Sequence, residues 1–300
     1  MWDSPSNDPA GAQVLWAIER PPLRAARHIE RTVLLALVAL GLCWLAWVLV
    51  LSRHLPPHRV KAGPGIVRVL FIGDSYTYVN NLPGLVMALS AGEPKPLDAE
   101  MVVEGGATLD QLWAEGKALA AIRRGNWDYV VLQEQSTLGS GLVMNGIQQI
   151  GDPSAFEQSV RRFDTAIGEV GATTVLYLTW ARQNAPQTQD ALNTAYLASA
   201  KDVHAVIAPV GPAWELARES GQGWDLYQGD GSHPSPAGSY LAACVFYATF
   251  YGKSPEGLPA RISSRLVDAS GTLQTGSVSL APADALALQQ FAVQAVAAQR

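Results

Sequence analysis

Ile66-Val67-Arg68-Val69-Leu70-Phe71-Ile72-Gly73-Asp74-Ser75 is an apolar run that halts at a glycine and delivers a serine. A short run of β-branched and aromatic residues bounded by glycine reads as a buried strand. The pattern recurs downstream, at residues 99–103, 129–132, 173–179 and 205–210. Between these runs lie helical periodicities at 82–91, 109–124, 154–170, 188–203 and 213–219. Strand and helix alternating five times predict an α/β domain with a five-stranded parallel sheet covered on both faces. Beyond the last strand, Ser235 and Pro236 open a buried helix ending at Gly252, and Pro282 opens a final helix over 283–298. Residues 254–280 show no clear period.

Upstream the composition changes. Residues 33–51 form a 19-residue stretch without a charge, about 28 Å long as a helix at about 1.5 Å per residue and close to the roughly 30 Å of a bilayer core. The reading is a basic N-terminal tail (1–31), a transmembrane signal anchor (32–52), a Pro- and Gly-containing linker (53–65) and a catalytic domain (66–300). No small-x-small cleavage site follows the span, and bulky Leu42 beside Cys43 argues against a lipoprotein site. Arginines and lysines flank both ends equally. The N-terminal set lies slightly closer to the span, which favours a cytoplasmic tail and an exported catalytic domain, on the periplasmic or extracellular side.

In an open parallel sheet, ligands bind beyond the carboxyl ends of the strands. Ser75 follows the first strand, Gly105-Gly106 the second, Gln133-Glu134-Gln135 the third and Trp180-Ala181-Arg182 the fourth. Asp230-Gly231-Ser232-His233 precedes the closing helix. A serine hydroxyl becomes a useful nucleophile only when an imidazole takes its proton and a carboxylate orients that imidazole. Ser75, His233 and Asp230 supply those three roles. Acyl transfer also needs donors for the developing oxyanion: the amides of Ser75 and Gly106 are natural ones, with the Gln133 side chain as a third and Gln135 as the alternative. Trp180, Arg182 and Asn184 are candidate substrate contacts or packing residues. Trp224 and Tyr227 line a pocket or cap the core, and residues 137–153 form a loop beside the site.

In this order, Ile72-Gly73-Asp74-Ser75, a glycine after strand two, an amide residue after strand three and Asp230-x-x-His233 resemble the four blocks of the GDSL/SGNH hydrolase superfamily. The resemblance spans roughly residues 66–252. It implies a flavodoxin-like three-layer α/β/α sandwich and ester hydrolysis without a metal or other cofactor, with Ser75 as nucleophile, His233 as base, Asp230 as its orienting acid and Gly106 as an oxyanion donor. One block departs: where the superfamily has asparagine in a Gly-x-Asn-Asp context, this chain has Gln133-Glu134-Gln135-Ser136. Some carbohydrate-esterase branches place a glutamine there.

A net charge of −5 with no basic stripe argues against a nucleic-acid partner. His28, His54, His58 and His204 lack ligand spacing, so no metal site is expected. The expected protein is a membrane-anchored esterase acting on an ester-bearing small molecule or carbohydrate, with an O-acetyl group of an envelope polysaccharide as the favoured substrate. An O-acyltransferase using the same triad and a non-catalytic envelope-binding domain of the same fold are the alternatives.

Overall fold

The computed structural model describes residues 65–139, 143–144 and 146–299. The tail, the predicted span 32–52 and nearly all of the linker lie outside the described residues. Among the described residues no helix is long and apolar enough to cross a membrane.

Strand β1 (Val67–Gly73) sits inside the sheet. Val69 and Phe71 face one layer while Leu70 and Ile72 face the other, and all four are fully buried. A strand covered on both faces has no polar side, so its sequence reads as a continuous apolar run. The chain then runs through α1 (Ser75–Tyr78), α2 (Leu82–Ser90), β2 (Leu97–Val103), α3 (Leu109–Ala114), α4 (Lys117–Arg123) and β3 (Tyr129–Leu132). A small antiparallel pair follows, β4 (Val143–Met144) with β5 (Ile147–Gln148), inside the segment expected as a loop. Next come α5 (Ser154–Glu169), β6 (Thr173–Leu178), α6 (Gln189–Val203), β7 (Val206–Pro209), α7 (Val210–Glu219) and α8 (Pro236–Tyr251). Strands β8 (Arg261–Val267) and β9 (Leu273–Ser279) and helix α9 (Pro282–Ala297) complete it.

The main sheet is β2-β1-β3-β6-β7, parallel throughout. Counting only its own strands this is the order 2-1-3-4-5, the flavodoxin-like arrangement whose switch point falls between β1 and β3. Helices α3 to α6 bury their apolar faces against one side and α2, α7, α8 and α9 against the other. Helix α8 is buried almost all round, as expected for a helix packed between a sheet and further helices. Its Phe246 meets Phe71 edge to face, with ring centroids 5.3 Å apart.

One expectation is corrected, and one unassigned region gains a structure. The helix predicted over 109–124 is broken, because Gly116 takes φ +76° and its amide turns back to the Trp113 carbonyl. Left-handed backbone at a glycine ends a helix cheaply. The unplaced region 254–280 is the antiparallel hairpin β8-β9. Few of its residues are buried, Ile262 and Val278 among them, so little hydrophobic alternation exists to read. Its turn is closed by Asp268, whose Oδ1 accepts the amides of Ser270 and Thr272. The hairpin touches the site indirectly: a Cβ at Gly276 would lie 1.9 Å from the Asn80 carbonyl oxygen, so only glycine lets the strand approach the Asn80-Asn81 corner.

Candidate active site

Asp74 bridges strand and helix. Its backbone is extended (φ −114°, ψ −150°), and its carboxylate caps α1 by accepting the Tyr76 amide at 2.9 Å. That abrupt change of direction puts Ser75 at the first helical position, on the carboxyl rim of the sheet. Ser75 is 8% exposed, and its Oγ–H points at His233 Nε2, 2.8 Å away. On the far side of the ring, His233 Nδ1 pairs with Asp230 Oδ2. With Nδ1–H donating to the carboxylate, Nε2 is left as the acceptor that removes a hydroxyl proton. The structure therefore brings Ser75, His233 and Asp230 into one hydrogen-bonded chain.

The loop carrying Asp230 and His233 is held from every side. Asp230 Oδ1 accepts the amides of Ser232 and His233, each at 2.9 Å. The His233 hydrogen bond, with smaller help from these amides, depresses the Asp230 carboxyl to about 2. Tyr76 shares a 2.8 Å hydrogen bond with Ser232 Oγ, and Trp180 Nε1 donates to the Ser232 carbonyl at 3.0 Å. Asn80 donates to the Pro234 carbonyl, and the Gln183 amide to that of Gly231. Tyr76, Trp180 and Trp214 form a continuous stack, with centroids 4.4 and 3.9 Å apart and planes within 9°. Such pairs contribute about 0.5–1.5 kcal/mol each beyond their burial. Trp180 thus positions the loop that carries Asp230 and His233 and is not a substrate contact. Asn184 lies exposed on the surface. Sequence reasoning missed Tyr76, Asn80 and Ser232. The available signal was an aromatic residue directly after the nucleophile.

The oxyanion assignment needs one correction. The Ser75 amide is the first of its helix and lacks an intrahelical acceptor, and Gly106 presents its amide from left-handed backbone, φ +70°, in the same cleft. Gln133, by contrast, faces inward and is fully buried. Its Nε2 donates to Asp74 Oδ1 and the Glu134 carbonyl, while Oε1 accepts from the Asp74 amide and the Thr77 hydroxyl. Every hydrogen-bonding position of that amide is spoken for, so it is a strut beneath the Asp74-Ser75 corner and has no hydrogen left for an oxyanion. A Cβ on Gly73 would stand 2.3 Å from its Oε1, so this packing demands glycine there. Gln135 does line the cleft. Its Oε1 accepts from Thr137, and among the described residues its Nε2 makes a long 3.4 Å contact to Ser136 Oγ.

The cleft holds about 290 Å³ and is lined by Ser75 and His233 with Tyr76, Tyr78, Gln135 and Arg182 among its polar walls. Among the described residues no aliphatic side chain lines it. A wider surface cleft of about 550 Å³ shares Gly105 and Gly106 and carries Glu104 and Glu115. Trp224 and Tyr227 line a separate hollow, away from Ser75. Tyr227 is buried and donates to the Ala181 carbonyl, and Trp224 donates to Asp284.

Two buried carboxyls lie behind the nucleophile. Burial lifts Asp74 to about 6 and Glu134 to about 7, in each case as the dominant cause. Glu134 accepts the amides of Leu109 and Gln135 and so caps α3. Folded-state values above the ordinary 3.8 and 4.5 mean that the native protein holds these protons more tightly than the unfolded chain. Their stabilisation is complete below those ordinary values and lost as pH rises through about 6 and 7. The expected result is a thermal midpoint that falls between about pH 4 and 7. In Glu134→Gln, where a neutral amide oxygen still accepts both amides, the fall is smaller; an unchanged pH slope in calorimetry would contradict this assignment.

Fold and site together define a three-layer α/β protein with a Ser-His-Asp array at the carboxyl edge of its sheet. Solved structures with the same layering include one of a DUF4886 family protein from Bacteroides uniformis, 20% identical, TM-score 0.57, covering 77% of this chain and 95% of that one. That likeness establishes the fold. Also similar are a protein assigned to the SGNH hydrolases from Slackia heliotrinireducens, 28% identical, TM-score 0.48, covering 62% of this chain and all of that one, and an acetylxylan esterase from Geobacillus stearothermophilus, 16% identical, TM-score 0.48, covering 64% and 96%. No protein-family model and no curated protein matches the chain.

Proposed function

We propose that this protein is a serine esterase that cleaves short-chain carboxylic esters through an acyl-enzyme. The observation that carries the proposal is the 2.8 Å contact of Ser75 Oγ with His233 Nε2, backed by Asp230. His233 takes the Ser75 proton as Oγ attacks the ester carbon, and the carbonyl oxygen becomes an oxyanion facing the amides of Ser75 and Gly106. Gln135 is the side-chain donor suited to the third position. The Nε2 proton then passes to the departing alkoxide, releasing the alcohol. Water, deprotonated in turn by Nε2, attacks the acyl-enzyme and frees the acid and Ser75.

The polar lining among the described residues bears on the acyl length. A buried CH₂ is worth about 0.8 kcal/mol when an apolar wall receives it, and the described residues give this cleft no such wall. The polar lining suits acetyl groups on a hydroxyl-rich alcohol such as a carbohydrate. The expected result is a kcat/KM for p-nitrophenyl octanoate no greater than that for the acetate, because six methylenes without apolar contact gain none of the roughly 0.8 kcal/mol that each would on burial. Activity rising with chain length would refute it.

Residues 32–52 are proposed as the membrane anchor on their length and lack of charge. Full-length protein should pellet with membranes after an alkaline carbonate wash, and a chain lacking residues 1–64 should not. Full-length protein left in the supernatant would exclude the anchor.

A further inference from the structure

Arg182 is the one Lys or Arg among the described residues that line the cleft, and the esterase reading does not use it. Its Nη2 donates to Ser136 Oγ at 3.0 Å, while its Nε is shut off from solvent and meets no acceptor among the described residues. None of the ion pairs among the described residues includes it. Asp74, whose carboxyl feels the Arg182 charge, is committed to the Tyr76 amide and Gln133. A half-buried guanidinium without an ion-pair partner among the described residues has already lost part of its hydration, so an anion on its open edge gains more than at the surface.

The backbone that carries Arg182 is firmly placed. The Ala181 amide donates to Gln189 Oε1, the Ala181 carbonyl accepts from Tyr227, and the Arg182 carbonyl accepts the Ala185 amide. The sheet order supplies direction. Along the rim run Gly106 after β2, Ser75 after β1, Gln135 after β3 and Arg182 after β6. The His233 loop is tied to the same Trp180–Gln183 segment, through the Trp180 and Gln183 bonds. The alkoxide leaves toward His233, its proton donor, and therefore departs on the Arg182 side. At the opposite end, Glu104 and Glu115 repel an anion.

We propose that Arg182 is a specificity-determining residue selecting esters whose alcohol moiety carries a carboxylate, as an acylated acidic sugar does. The inference rests on the esterase reading. A planar, two-pronged guanidinium matches a carboxylate better than it matches a hydroxyl or amide.

The test uses the full-length protein in detergent, with mono-O-acetyl methyl glucuronoside, its carboxamide counterpart and p-nitrophenyl acetate as substrates. The expected wild-type preference for carboxylate over carboxamide in kcat/KM is at least ~10-fold, and it shrinks with added salt. In Arg182→Gln the ratio should collapse to about one, with Arg182→Lys in between, consistent with lost bidentate pairing. A wild-type ratio near one, or an unchanged ratio in Arg182→Gln, overturns the inference while leaving the esterase intact. A wild type inert toward all three substrates overturns the esterase reading and this inference with it.

Discussion

Ser75→Ala lowers kcat/KM for p-nitrophenyl acetate by an expected ~10⁴-fold or more, the scale on which loss of a triad nucleophile acts. The hydroxyl of Ser75 hydrogen-bonds to His233, and its removal leaves the aromatic stack and the Asp230 contacts untouched. The thermal midpoint should therefore stay within about 4 °C, equivalent to roughly 1 kcal/mol in a domain of this size. Activity and folding are thus expected to separate cleanly. The measurement is steady-state hydrolysis paired with a thermal melt. Activity within tenfold of wild type would mean that Ser75 is not the nucleophile, while a collapsed melt would assign it a structural role.

Asp230→Asn is the second large effect. The variant keeps an oxygen to accept the Ser232 and His233 amides, so the loop retains its shape. It replaces the oxygen that faces His233 Nδ1 with an amine. Two donors then face each other unless the imidazole moves its proton to Nε2, where it can no longer accept from Ser75. The expected loss in kcat is ~10²- to 10⁴-fold, below that of Ser75→Ala because the serine hydroxyl and the imidazole both remain. Asp230 stays ionised down to about 2, held there chiefly by the His233 hydrogen bond. Wild-type activity on the acidic side is therefore not limited by protonation of Asp230. Its contribution to stability is present above the ordinary carboxylate value and disappears only as pH falls toward 2. A kcat within a factor of three of wild type would remove Asp230 from the mechanism.

The sheet and its rim were legible because each parallel strand is buried on both faces and writes a continuous apolar run, as Val69, Leu70, Phe71 and Ile72 do. Strand ends then mark the rim, and chemistry-bearing residues after them can be read directly. What periodicity could not express was the direction of a side chain past the strand end. Gln133 and Gln135 have the same parity on one strand. One is locked under Asp74, and the other lines the cleft because the chain turns at residues 135–138, with the Leu138 amide donating to the Gln135 carbonyl. The positioning role of Trp180 was equally hidden, since an indole at a strand end looks the same whether it stacks on Trp214 or on a substrate. The β8-β9 hairpin lay beyond reach of hydrophobic alternation, although Asp268 and Gly271 carried its turn chemistry.

Incubation of the intact protein with a fluorophosphonate, followed by peptide mass mapping, tests the arrangement of nucleophile and base most directly. The expected product is a single adduct on Ser75, absent when Asp230 or His233 is replaced. An unlabelled protein, or a label on any other serine, would contradict it.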